Sequence, residues 1–407
     1  MNRIYLDNAA TTPVRREVFE AMVPYLTDKY GNPSSIHSYG REARADLNRA
    51  REQVAAAIGA APEEIIFTAG GSEADNLAIK GTALAMYGEK SHIITSAVEH
   101  HAVLHSVESL KRLGFSVTIL PVDSEGMVDP EDVKRAITPE TCLISIMYAN
   151  NEVGTIQPIE EISRIAREAG VLFHTDAVQA VGHMPVDVKS LGVDMLSLSG
   201  HKFYGPKGVG ALYARRGVRL APLIDGGAQE RKRRAGTENM AGIVGMGMAI
   251  ELAVSEMDEV SAKEERLRDK LIEGLTQRIP DVKLNGHRRL RLPNNVNMSF
   301  LYVEGESLLL NLDMEGIAAS SGSACTSGSL APSHVLMAMG IPHEVAHGSV
   351  RMTLGRYTED ADVERVLDVM PRIVEKLRAM SPIYVKTECG IKEFCANAHG
   401  CDVAEKR

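Results

Sequence analysis

Short apolar runs rich in Ile, Val, Leu and Phe recur between residues 60 and 215: EIIFTAG, SHIITSA, FSVTILPV, CLISIMYAN, VLFHTDA and DMLSLSG. Continuous apolar runs of this length predict strands buried on both faces. Between several of them lie SEADNLAIKGTALAMY, HAVLHSVESLKRLG and IEEISRIAREAG, whose apolar positions recur at helical spacing. The alternation predicts an α/β fold with a mostly parallel central sheet covered by helices on both faces. From 238 to about 278 the pattern is helical almost throughout, with SEMDEVSAKEERLRDKLIEGL as an exposed face. VNMSFLYV and GSVRMTL then read as strands, and ADVERVLDVMPRIVEKLRAM as a closing amphipathic helix. The expected organisation is a large α/β domain over 15–257, a smaller α+β domain from 1–14 and 258–381, and a tail at 382–407 that shows neither period.

A chain of 407 residues suits one large and one smaller domain rather than a single core. Net charge is −9 with no long basic run, which argues against nucleic acid or an anionic membrane as partner. The first residues, MNRIYLDNAATT, lack the apolar centre of a signal peptide. No apolar run reaches the roughly 18 residues of a membrane helix, so a cytoplasmic location is expected. The five cysteines, Cys142, Cys325, Cys389, Cys395 and Cys401, are unevenly spread, and a disulfide framework is not expected in a reducing compartment. Cys142 falls inside an apolar run and reads as a buried strand residue.

Open α/β sheets bind ligands at the carboxyl ends of their strands, so the residues after each run carry the chemistry. EIIFT is followed by AGGSEADN, where Gly71 and Ser72 open a helix in the manner of a phosphate cradle. This is not the GxGxxG of a dinucleotide site. His100 follows SHIITSA, Asn151 follows ISIMYAN, Asp176 and Gln179 follow VLFHT, and Ser199, His201 and Lys202 end DMLSLSGHK. A lysine to anchor an aldehyde, a carboxylate to keep a ring nitrogen protonated, and a phosphate cradle are together the needs of pyridoxal 5′-phosphate.

YLDNAATT, GSEADN, VEHHA, NNEVGTIQPI, HTDAVQ, SLSGHKFYGPKGVG, RRAGTEN and SGSACTSGS occur in this order from about residue 4 to 380. Together they resemble the NifS/IscS-type cysteine desulfurases, fold-type I pyridoxal-phosphate enzymes of the class V aminotransferase group. The resemblance implies that Lys202 carries the cofactor, His100 lies over its ring and transfers protons, Asp176 pairs with the ring nitrogen, and Gln179 with the phenolic oxygen. Gly71, Ser72, Ser199 and His201 would hold the phosphate, joined by Thr237 from the other subunit of a homodimer with shared sites. Asn151 and Arg351 would bind the substrate carboxylate, a task for which a planar guanidinium is suited.

The same resemblance gives Cys325, alone in the Gly/Ser-rich stretch SSGSACTSGS, the role of nucleophile. It would take sulfur from L-cysteine as a persulfide, leaving L-alanine. A segment of that composition can swing to carry the sulfur outward. The implied acceptor is an iron–sulfur scaffold protein, at whose cluster site Cys325 would be a shared ligand. A selenocysteine lyase or an aminotransferase would use the same cofactor. A metal-binding or redox-sensing protein would instead use the tail, whose C-x5-C-x5-C spacing matches no common zinc or cluster signature.

Overall fold

A computed structural model describes residues 3–321, 332–381 and 384 of the chain. Its strands are β1 (Ile4–Tyr5), β2 (Ile65–Thr68), β3 (His92–Ser96), β4 (Ser116–Leu120), β5 (Thr141–Ser145), β6 (Leu172–Asp176), β7 (Met195–Ser199) and β8 (Gly210–Ala214). They continue as β9 (Val282–Leu284), β10 (Asn295–Phe300), β11 (Ile317–Ala318) and β12 (Ser349–Thr353).

Seven strands form one sheet in the order β2-β8-β7-β6-β5-β3-β4. The run from β7 to β4 is parallel throughout, while β8 lies antiparallel to both β2 and β7. The six apolar runs therefore are the strands they were expected to be, and the sheet is mostly parallel. β8, within GVGALYA, is the strand the apolar pattern does not announce. The helices Gly71–Ala85 and His101–Lys111 pack on one face through Leu77, Ala78, Val103 and Val107, against Ile66, Ile93, Leu143 and Met195. The opposite face is covered by Ser38–Ala57, Ile159–Glu168 and Met240–Ser255, around Ile144, Phe173, Leu196 and Leu198. Cys142 sits buried in β5, its thiol donating to the His92 carbonyl at 3.2 Å.

A second sheet, β12-β10-β9, is antiparallel. Its core of Val296, Met298, Phe300, Val350 and Met352 is closed by the helices Met257–Arg278 and Asp360–Met380. Val363, Val366, Leu367, Met370, Ile373 and Val374 make the buried stripe of the last helix, at the three-and-four spacing of an amphipathic helix. The short strand β1 pairs in parallel with β11, which attaches the amino terminus to this second core. No single helix among the described residues is long and apolar enough to cross a membrane.

Two features of the large sheet prepare a site. β4 lies on one side of β3 and β5 on the other, so the chain changes direction across the sheet between β3 and β5 and leaves a crevice at their carboxyl ends. Along that crevice runs the segment Asp7–Thr12, which turns at Asn8–Ala10 and follows β1.

Candidate active site

The crevice is a cavity of about 810 Å³. Gly71, Ser72, His100, Asn151, Asp176, Gln179, Ser199, His201, Lys202 and Arg351 all line it. These ten residues come from six separate stretches of sequence, each at a strand end or in the turn beyond, apart from Arg351 on β12. Thr237 is exposed and lies outside the cavity of its own chain. Cys325, Cys389, Cys395 and Cys401 lie outside the described residues.

One end of the cavity is built of small residues around the amino terminus of the helix Gly71–Ala85. A Cβ added at Gly71 would stand 2.7 Å from Val178 Cγ2, and one at Gly210 would stand 2.6 Å from the Gly70 carbonyl carbon. Backbone from two loops is thus packed closer than any side chain allows, leaving main-chain N–H groups, Ser72 and Ser199 to face an anion.

At the other end of the ring-sized space stands Asp176. Its Oδ1 accepts from the Val178 amide at 3.0 Å. Burial lifts this carboxyl to about 6, although the Val178 amide and the charge of Lys202 pull it down. It is therefore an anion at neutral pH in a site with little water, where a buried negative charge attracts a cationic group strongly.

Lys202 lies in the turn after β7, its Nζ donating to the carbonyls of Ala9 at 2.6 Å and Ala10 at 2.8 Å. Gln179 Nε2 donates to the same Ala9 carbonyl at 3.0 Å. His201 Nδ1 lies 3.1 Å from Thr11 Oγ1, and its own carbonyl accepts from Thr12. The amino-terminal segment thus fixes the lysine turn from above.

His100 caps the helix His101–Lys111, its Nδ1 accepting from the Ala102 amide at 3.1 Å. Burial, then Lys202, His101 and His105, hold it down at about 4, so the ring is neutral near pH 7. With Nδ1 as acceptor, that neutral ring carries its proton on Nε2.

Arg351 is 2% exposed. Its Nη2 donates to Asp7 Oδ1 at 2.8 Å and its Nη1 to the Asn151 carbonyl at 2.9 Å, while its Nε has no hydrogen-bond partner among the described residues. An unpaired buried donor at the cavity wall is satisfied by a carboxylate bound there. Asn150 shapes this wall: its side chain accepts from the amides of Glu152 and Val153 and donates to the Val98 carbonyl.

Three further wall residues were not read from the sequence. Asp75 sits one helical turn after Gly71, on the same face. Glu152, bonded to the Ser333 hydroxyl, is lifted to about 7 by burial. His334 bonds the Glu99 carbonyl at 3.0 Å and packs its ring 4.6 Å from that of His101. Asp75 and Glu152 were each adjacent to a quoted motif residue, and an acidic side chain on an otherwise apolar face was the available signal.

The donor set fits pyridoxal 5′-phosphate: a small-residue anion cradle, a buried carboxylate opposite it, an amine on the turn between them and an arginine beyond. Similarity to known proteins agrees. A cysteine desulfurase IscS of Dictyoglomus turgidum is 61% identical over 379 residues, covering 93% of this chain and 96% of that protein. One from Methanosarcina thermophila is 60% identical over 94% of this chain and 95% of its own length. A solved NifS-like protein superposes with a TM-score of 0.87 at 41% identity, covering 92% of this chain and all of that one. The family description of the class-V aminotransferases matches residues 4–366, and with that span the chain belongs to the class-V aminotransferase family.

Proposed function

We propose that the chain is a pyridoxal-phosphate-dependent cysteine desulfurase. It converts L-cysteine to L-alanine and passes the sulfur onward for iron–sulfur cluster assembly. The observation that carries this reading is the placement of Lys202, Asp176 and Arg351 around one cavity, with the lysine held on the Ala9 and Ala10 carbonyls.

When bound, the cofactor supplies an electron sink that weakens the bonds at the substrate's Cα and Cβ. Lys202 would hold it through its amine and, with that amine free, would serve as general base toward the substrate Cα proton. Asp176 would favour positive charge at the ring nitrogen. Gln179 would serve the phenolic oxygen, and Gly71, Ser72, Ser199 and His201 would hold the phosphate. Arg351 and Asn151 would orient the substrate carboxylate, and His100 would move a proton beside the ring.

The acceptor is Cys325, a role that rests on the SGSAC motif. Its thiol and L-cysteine give L-alanine and a Cys325 persulfide, in which an S–S bond replaces the substrate C–S bond and no outside oxidant is consumed. A reducing, cytoplasmic compartment keeps that thiol available. The large domain would be 15–257, the small one 1–14 with 258–381.

We further read the working unit as a homodimer. Phe19, Leu26, Tyr30, Ile36 and Tyr39 are exposed within one short stretch, more apolar surface than a lone subunit ordinarily shows. Thr237, exposed in RRAGTEN, would reach the phosphate of the second copy. An iron–sulfur scaffold protein is the proposed sulfur acceptor, with Cys325 a shared ligand at its cluster.

The test is incubation with L-cysteine and a dithiol reductant, following alanine and sulfide together. Equal amounts of both are expected from the parent. Cys325→Ala should stop sulfide release while leaving the cofactor's visible absorption intact; near-normal turnover in that variant would favour a lyase or aminotransferase instead.

A further inference from the structure

Among the buried groups of the cavity wall that the proposed chemistry does not use, Asp75 stands out. Asp75, on the helix Gly71–Ala85, is 1% exposed, and its Oδ1 has no hydrogen-bond partner among the described residues. Buried carboxyl oxygens are seldom left in that state, and one that lines a cavity calls for a reason beyond packing.

Its surroundings supply the reason. Strand alternation puts His174 and Asp176 on the same face of β6. In register, His174 lies beside Ser145 of β5, and Asp176 beside Ser197 of β7. His174 Nδ1 is 2.9 Å from Ser145 Oγ, and its Nε2 is 3.0 Å from Ser197 Oγ. Asp75 Oδ1 stands 3.8 Å from His174 Nε2, and Ser197 lowers the Asp75 carboxyl against its burial. A polar chain therefore crosses three strands inside a layer otherwise made of Leu143, Met195, Leu77 and Ala78.

We infer that Asp75 is a positioning residue for Asp176: with Ser197, His174 and Ser145, it holds the Asp176 carboxylate toward the cofactor's ring nitrogen. This rests on the pyridoxal-phosphate reading above. Burial, then the charge of Asp176, raises Asp75 well above the usual carboxylate range, with Glu99 adding to the rise and Ser197 opposing it. Burial likewise holds His174 down at about 3. The chain is thus neutral, and Asp176 is the ionised member of the carboxyl pair. The titratable groups facing the pair are Glu99 and His100 after β3, His174 on β6 and Lys202 after β7. A neutral hydrogen-bonding side chain at 75 meets the requirement; an apolar one does not.

The test measures pyridoxal 5′-phosphate affinity by visible absorption from about pH 5.5 to 8.5, a range spanning the titration of Asp176. The holoenzyme is compared with Asp75→Asn, Asp75→Leu and Ser197→Ala. Parent affinity falls as pH drops through the Asp176 titration. Without the neutral polar groups of the neighbouring helix and strand the Asp176 charge is less stabilised, so in Asp75→Leu and Ser197→Ala that fall moves up by about one pH unit, a tenfold change in proton affinity. Asp75→Asn stays within about 0.3 unit of the parent, because the amide mimics a neutral acid. Thermal midpoints of the cofactor-free variants separate misfolding from lost positioning, and Ser197→Ala serves should Asp75→Leu not fold. An unshifted midpoint in the variants that fold overturns the inference. So does a downward shift in Asp75→Asn, which would show that Asp75 acts as an anion. A parent that never acquires the visible band sinks the functional reading and this inference together; unshifted variants of a coloured parent sink the inference alone.

Discussion

Arg351 donates from Nη2 to Asp7 Oδ1 at 2.8 Å, joining residues 344 positions apart at the mouth of the cavity. The pair fixes the guanidinium, whose Nε has no hydrogen-bond partner among the described residues. Charge-assisted hydrogen bonds contribute about 1.5–3 kcal/mol each. Arg351→Ala should therefore raise the KM for L-cysteine by about 10- to 100-fold. Cofactor affinity should hardly change. Asp7→Asn, which leaves the arginine in place without its anion, should give a smaller rise. Steady-state alanine formation reads both, and an unchanged KM in Arg351→Ala would remove this residue from the substrate site.

Lys202→Ala should lose both the visible absorption of the bound cofactor and alanine formation, with the fold retained. The Ala9 and Ala10 carbonyls that the ammonium occupies are backbone groups, so the loss leaves two acceptors in a cavity that water can enter. Borohydride treatment followed by peptide mass measurement should locate the reduced cofactor on residue 202 of the parent and nowhere in the variant.

Acid groups away from the reacting atoms predict a pH dependence of stability. Burial lifts Glu99 to about 8 from 4.5, against the Ser96 hydroxyl and Met147 amide that lower it, and lifts Glu152 to about 7. A raised carboxyl binds protons more tightly folded than unfolded, so stability falls as pH rises from the unfolded value to the folded one. His100, His174 and His201 are depressed and act only below their ordinary value of 6.5. Between pH 6.5 and 8 the raised carboxyls set the sign, and His183, which burial lowers but Glu264 lifts to a net value above 6.5, acts in the same direction. The cofactor-free protein should lose about 2 kcal/mol over that window from Glu99, and Glu99→Gln should flatten most of the slope in thermal melts.

The tail offers a separate measurement. Removing residues 382–407 should leave alanine formation unchanged. If Cys389, Cys395 and Cys401 bind metal, it should also abolish stoichiometric iron or zinc in the purified protein. Equal metal content with and without the tail would dismiss a metal role for it.

Much of the large sheet and the polar residues its strands bring to the cavity could be read from apolar runs and what ends them. Apart from the edge strand β4, those strands are buried on both faces and their functional residues are local to each strand end, so a short window of sequence contains both signals. β8 was not legible, because GVGALYA owes its strand to partners at Ile65–Thr68 and Met195–Ser199. The helix Ser38–Ala57 was hard to read for a similar reason: its buried stripe of Ala43, Leu47, Ala50 and Val54 has helical spacing but is half alanine and so only weakly apolar, and its partners lie about 200 positions on in Met240–Ser255. Asp75 and Asp7 were quoted within motifs, yet their importance comes from contacts with Ser197 and Arg351 that no local pattern contains.

The tie of β1 to β11 has a bearing on synthesis. The segment that closes over Lys202 is made first, but its anchoring strand partner is made last but one among the strands. A growing polypeptide can assemble its large sheet long before Ile317 leaves the ribosome, and during that interval the lysine turn lacks its roof. A product that ends before Ile317 should therefore release no sulfide, although its large sheet can form.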